Sequence, residues 1–195
     1  LKCYYFTPRD KIDPNAAISD FLPEAAWVVA SEKKIPIILH LMRPSGLSDP
    51  ENFAYIMDMT ARYPDAPLVL AHCARGFVSW TAVEQIRKIV NRDNVWFDLA
   101  AVCEVGPMMA SIMQNAGKRV MWGTDWPICL YRGRAVSMGM SQEWFAETAD
   151  KKTGYALLVA ESLHAFHQTA SLMNLDQTQI DDIFYNNAAT LFCDK

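Results

Sequence analysis

The sequence predicts an α/β fold built around a parallel sheet, and three observations carry that expectation. Strand-like apolar runs recur along the chain, helix-like segments separate them, and the runs are apolar on both faces, as in IPIILHL and PLVLAH. Parallel strands covered by helices bury both faces and lose the polar alternation that a half-exposed antiparallel sheet keeps. Strand starts at Pro36, Pro67, Val95 and Arg119 lie roughly thirty residues apart, the size of a repeating βαβ unit.

Taken in order, the expected strands are Lys2–Phe6, Pro36–Leu41, Pro67–His72, Val95–Ala100 and Arg119–Thr124. Between the first two, Pro23 can open a helix carrying Ala25, Val28 and Val29, and Lys33 and Lys34 suit its C-terminal end. Asp49-Pro50 is a helix start; Phe53, Ile56, Met57 and Thr60 then follow helical spacing until Tyr63-Pro64 ends it. Val83, Ile86 and Val90 mark the next helix, and Met109, Ile112 and Met113 another, closed by Gly117. From Asp125 to Gly154 periodicity is lost, which predicts a long loop with a short helix. Tyr155–Met173 reads as a long helix with Val159, Leu163, Phe166 and Ala170 on one face. Asp176-x-x-Gln179 has the pattern of a capping box for a last helical segment ending at Phe192. No composition shift or repeat divides the chain, so residues 1–195 are read as one domain.

Composition narrows the function classes. The chain has 195 residues, 51% of them hydrophobic, with 18 Lys+Arg against 22 Asp+Glu and a net charge of −4. A globular chain without a basic stretch offers no footprint for nucleic-acid phosphates or for an anionic membrane surface. No apolar run approaches the roughly 20 residues that cross a bilayer. The five cysteines, Cys3, Cys73, Cys103, Cys129 and Cys193, are odd in number and scattered, which suits reduced thiols in a cytoplasmic setting.

In parallel α/β architectures, chemistry collects at the C-terminal ends of the strands, where loops converge. That rule selects His40, His72 and Asp125, which end or follow three separate expected strands. A single strand-end histidine is ordinarily a hydrogen-bonded core or loop residue. Two imidazoles and a carboxylate at one edge are also the ligand set of a catalytic divalent metal such as zinc, with a position left for water.

The strings IPIILHL, PLVLAHCARG, NVWFDLAA and RVMWGTDWP, with IDDIFYNNAATLF near the end, resemble the amidohydrolase-related metal-dependent hydrolases. The likeness is to the branch holding lactonases and aminocarboxymuconate semialdehyde decarboxylase-like enzymes. Its strongest parts are Gly123–Pro127 and Asn187–Phe192. The resemblance implies a (β/α)8 TIM-barrel fold, with the four strings as its fifth to eighth strands and Lys2–Phe6 as its fourth. It implies His40 and His72 as metal ligands, and Asp125 as ligand and as the base and acid that moves the proton. The family's first-strand His-x-His has no counterpart, since no two of the four histidines are two apart. A whole barrel takes about 250 residues, so this chain is expected to be an incomplete barrel, strands four to eight plus C-terminal helices of a longer protein.

The expected function is metal-dependent hydrolysis of a lactone or amide-like bond in a small organic acid, with zinc as the cofactor. Decarboxylation, a metal-free lactonase and a non-catalytic truncated barrel are the alternatives. Arg75 and Arg43, just beyond His72 and His40, are candidate clamps for a substrate carboxylate. Tyr131, Arg132 and Arg134 read as loop residues, and Trp126 as a packing residue. Asp98 is either support for the site or a buried carboxylate bonded to backbone. Cys73 is read as facing away from its neighbour His72, Glu161-x-x-His164 as part of an ordinary helix, and the ten methionines as core filler. Open sheet edges make a homo-oligomer a further expectation.

Overall fold

The computed structural model describes residues 1–3, 15–89, 91–114 and 116–193. Its centre is a sheet of β1 (Lys2–Cys3), β2 (Ile37–Leu39), β3 (Leu68–Leu70), β4 (Val95–Asp98) and β5 (Val120–Met121). The strands lie side by side in sequence order, every pair parallel. With helices in the connections, this is an incomplete (β/α) barrel wall. Residues 4–6 of the first expected strand fall outside the described residues. The other strands are shorter than the apolar runs that announce them.

Both faces of the sheet are covered, which is why the runs show no polar alternation. One face, Ile37, Leu39, Leu68, Leu70, Val95, Phe97 and Val120, packs in the main core with helix residues that include Trp27, Ile56, Ile86 and Ile112. The other face, Ile38, Val69, Trp96 and Met121, packs against Ala188 and Leu191 of the C-terminal helix Asn187–Phe192. Leu39, Leu68 and Leu70 are each 0% exposed, and burying a side chain of that size stabilises by about 1.5–3 kcal/mol.

The helix boundaries follow local chemistry. In helix Pro50–Arg62 the Asp49 carboxylate accepts from the Glu51 and Asn52 amides at 3.1 and 3.0 Å, and Pro50 fills the first position. Helix Glu24–Lys33 stops where Lys34 turns left-handed, at φ 52°. Helices Ser79–Ile86 and Val105–Met113 follow β3 and β4. Asp176 and Gln179 form the reciprocal cap, side chain to amide in both directions. Past it, Asn187 Nδ2 donates to the carbonyls of Gly117 and Val120, each at 2.7 Å, fixing the chain end against the start of β5.

Four expectations change. The segment after Asp125 holds the expected short helix, one 3-10 turn at Ile128–Leu130, but the rest is not a plain loop: β6 (Gly133–Met138) and β7 (Ser141–Ala146) form an antiparallel hairpin. Polar residues on both its strands hide it from a search for apolar periodicity. The long helix runs Leu158–Met173, and its buried face is Leu158, Ser162, Ala165, Phe166 and Thr169, while Leu163 is exposed. Small side chains let it approach closely, so the polarity of the sequence misplaces the face. Trp126 does not pack; it is 74% exposed. Of the methionines, Met59, Met108 and Met121 are buried, but Met113, Met138 and Met140 face outward. No helix among the described residues is long and apolar enough to cross a membrane.

Candidate active site

β2 carries its register past Leu39, so that His40 sits at the C-terminal edge of the sheet, 9% exposed. β3 ends at Leu70, and His72 reaches the same edge by a different device. His72, Cys73, Ala74 and Arg75 are all left-handed, with φ of 57°, 49°, 58° and 59°. Such a turn costs an L-residue about 1–2 kcal/mol, so neighbours must enforce it. Two glycines make room: a Cβ on Gly46 would lie 3.0 Å from Arg75 Cβ, and one on Gly76 would lie 2.8 Å from Pro107 Cβ. Asp98 supplies the hydrogen bonds. Its Oδ1 accepts from the His72 amide at 3.1 Å and from the Ala100 amide at 2.9 Å.

The turn aims the His72 ring. Its Nδ1 lies 2.7 Å from the Ala100 carbonyl oxygen, and a carbonyl can only accept, so Nδ1 carries the proton and Nε2 presents its lone pair. Asp125, itself left-handed at φ 56°, places Oδ2 at 3.8 Å from His72 Nε2. The His40 and His72 rings meet edge to face, centroids 5.0 Å apart. The three side chains that the sequence selects therefore lie along the strand-end edge as two adjoining pairs, His40 with His72 and His72 with Asp125.

Burial sets the protonation of the first imidazole. His40 is pushed down to about 3 by loss of solvent, with the His72 ring and the Arg75 and Lys2 charges adding to the effect. It is neutral across the physiological range, which is the form that donates a lone pair to a cation. Burial raises the Asp98 carboxyl, and the nearby His72 ring and the amide bonds from His72 and Ala100 oppose that rise. The Cys73 thiol, fully buried behind the turn and pushed up to about 12, is no nucleophile.

The donor chemistry fits a divalent cation: a neutral His40, a His72 whose outer hydrogen bond fixes its tautomer, and a carboxylate beside it. Among the described residues, no three His, Cys, Asp or Glu side chains form a ready-made cage for an ion.

The arginines divide. Arg75 Nη1 donates to the Leu41 carbonyl at 3.3 Å, its guanidinium carbon lies 5.9 Å from the Phe77 ring centroid, and its charge is felt at His40. Arg43, expected as a second clamp, bonds Asp49 at 2.9 Å, Glu51 at 2.7 Å and the Asn15 carbonyl at 3.1 Å, and so braces a helix start. Arg134 is not solvated loop charge: it donates to the Cys103 carbonyl at 2.8 Å and pairs with Glu161 at 3.2 Å. His164 and His167 are exposed on their helix. Sequence reasoning missed Ala100, whose carbonyl acts through its main chain and leaves no residue-type signal. It also missed Phe77, which stacks on His72 with centroids 5.6 Å apart; its position just past HCARG was the available hint.

Comparison with known proteins places the chain in a family and matches its fold. The sequence model of the family described as Amidohydrolase matches residues 5–193. No curated protein matches the chain. An amidohydrolase from Burkholderia multivorans solved with bound zinc is similar in structure, with a TM-score of 0.60, 13% identity, 91% of this chain covered and 60% of that one. A 2,6-dihydroxybenzoate decarboxylase from Rhizobium has a TM-score of 0.51 and 13% identity, covering 86% of this chain and 54% of that one. Amidohydrolase 2 from Bifidobacterium longum subsp. infantis gives 0.51 and 13%, over 88% and 54%. The chain thus spans little more than half the length of these solved structures.

Proposed function

The chain belongs to the amidohydrolase family, and on that premise we propose that it forms part of a metal-dependent hydrolase opening a lactone or amide-like bond in a small organic acid. The observation that carries the reading is the run of neighbouring side chains His40, His72 and Asp125 along the strand-end edge, with His72 next to each of the other two. His40 and His72 would hold the cation, zinc by their donor chemistry, together with Asp125. When bound, such an ion makes water a nucleophile near neutral pH and polarises the carbonyl under attack.

The chain's own residues do the rest. Asp125 accepts the proton of the attacking water and returns it to the leaving oxygen or nitrogen. The Ala100 carbonyl keeps His72 in the tautomer whose Nε2 faces Asp125. Arg75, beside this cluster, supplies the positive charge that binds a substrate carboxylate. Asp98 holds the His72 turn in place through two amide bonds.

Decarboxylation of an aromatic acid is the second reading, suggested by the Rhizobium decarboxylase among the similar structures. A panel of small lactones and hydroxybenzoates, read in parallel for ring opening and for carbon dioxide, separates the two. Asp125→Asn is expected to lower turnover by about 10²–10⁴-fold, the size of a general acid-base contribution. Near-normal turnover in that variant would remove Asp125 from the chemistry.

A further inference from the structure

The hairpin β6–β7 reaches from the segment after Asp125 over to the loop that follows the His72 turn, and it touches that loop in two ways. It is bolted to the main chain there: Ser137 Oγ donates to the Phe77 carbonyl at 3.0 Å and accepts from the Ser79 amide at 2.7 Å. Through its side chains it is packed on: the Trp144 and Phe77 rings meet edge to face, centroids 5.4 Å apart at an interplanar angle of 66°. Phe77 in turn lies nearly parallel to the His72 ring, 5.6 Å away at 29°. An unbroken aromatic column therefore runs from the hairpin, through Phe77, to His72 and on to His40.

The anchoring is specific to this hairpin. Arg134 ties β6 to the Cys103 carbonyl and to Glu161, and the Ser137 amide donates to Glu104 at 3.2 Å. At Gly133, φ +142°, the paired strands leave no room for a side chain, since a Cβ there would fall 2.0 Å from the Phe145 carbonyl oxygen. The hairpin is thus a braced arm, fixed at its root by Arg134 and near its tip by Ser137. Trp144 keeps 45% of its surface exposed, so its contact with Phe77 is not forced by burial in a general core.

What the arm does follows from the freedom left to His72. One hydrogen bond, Nδ1 to Ala100, fixes a single point of the ring. With Cγ tethered to Cβ, the ring can still rock about its side-chain torsions within the reach of that one bond, and rocking swings Nε2 away from Asp125. A flat partner on the ring's face removes that freedom, and Phe77 is that partner. Phe77 sits on the loop between the left-handed turn and helix Ser79–Ile86, so it needs backing of its own.

We propose that Trp144 is a positioning residue: pressed against Phe77 by the hairpin, it holds the His72 ring with Nε2 toward Asp125. The inference rests on His72 belonging to the working site, but it concerns the ring's orientation and not the reaction, so each can fail without the other.

The test reads the ring itself. Proton and nitrogen spectra of the full-length chain, labelled at histidine, are compared for wild type and four variants at one pH above neutrality. Phe77→Leu removes the stacked ring and defines the full displacement of the His72 resonances. Trp144→Ala is expected to move them toward those Phe77→Leu positions, and Trp144→Phe, which keeps an aromatic edge, to leave them near wild type. Ser137→Ala, which frees the Phe77 main chain without altering any ring, is expected to move them the same way, and it stands in if Trp144→Ala does not fold. Wild-type His72 resonances in folded Trp144→Ala, or in Ser137→Ala where it stands in, overturn the proposal. So does a displacement in Trp144→Phe as large as that in Trp144→Ala.

Discussion

The His72 imidazole is hydrogen-bonded through Nδ1 to the main-chain carbonyl of Ala100, 2.7 Å away, on the neighbouring strand's loop. A main-chain acceptor cannot be altered by substitution at position 100 as long as the backbone stays in place, so the tautomer is built into the fold. Nitrogen spectra of the metal-stripped protein are expected to show His72 protonated at Nδ1 and unprotonated at Nε2. An Nε2-protonated majority would contradict the orientation on which the site depends.

Asp98 explains why that loop keeps its shape. One oxygen serves the amides of His72 and Ala100 together. Asp98→Ala would leave both donors without an acceptor, and a buried donor left unpaired costs about 1–3 kcal/mol. The expected loss is about 2–5 kcal/mol in urea unfolding, with Asp98→Asn milder because its amide oxygen still accepts. Equal stability of the alanine variant and wild type would show that the bonds carry no weight.

How much of this could be read beforehand depended on the kind of force involved. Strands β2 to β5 were legible because burial on two faces writes itself as an apolar run, and the Asp49 and Asp176 caps because side chains at fixed spacing close them. His40, His72 and Asp125 were legible as strand-end polar residues. The hairpin was not, since its strands are held by cross-strand main-chain bonds and by the anchors Arg134 and Ser137, none of which leaves a hydrophobic period. The left-handed turn was also hidden. HCAR contains no glycine, and its conformation is imposed by Gly46, Asp98 and Pro107 from other parts of the chain.

That turn yields a stability prediction of opposite sign to ordinary helices. Ala74 sits at φ 58° and is 2% exposed. Glycine at a right-handed helix position costs about 1 kcal/mol relative to alanine, but here it relieves a left-handed strain of about 1–2 kcal/mol. Ala74→Gly is expected to be neutral or to stabilise by up to about 1 kcal/mol, whereas Ala74→Val, β-branched and overpacked, loses more than about 2 kcal/mol. Thermal or urea unfolding of the two variants side by side decides it, and a glycine variant destabilised like any helix glycine would mean the turn is not left-handed in solution.

His40 makes stability depend on acid in a direction that its burial fixes. Its ordinary value is 6.5, and in the folded chain it is pushed down to about 3. Above pH 6.5 both states hold the ring neutral and His40 imposes no penalty. Between 6.5 and about 3 the unfolded chain binds a proton that the folded chain refuses, so folding loses stability as the pH falls, at about 1.4 kcal/mol per pH unit for one full proton. Below about 3 the folded ring is protonated as well and the loss levels off. His40→Gln has no such proton to bind. With a chelator present so that no ion competes for the ring, its urea-unfolding stability is expected to fall less steeply than wild type between pH 6.5 and 4, the difference approaching one proton per chain. Parallel slopes for the two proteins would mean that the His40 ring takes up its proton as easily inside the fold as outside it, and that the neutral imidazole inferred at the site is not enforced by its surroundings.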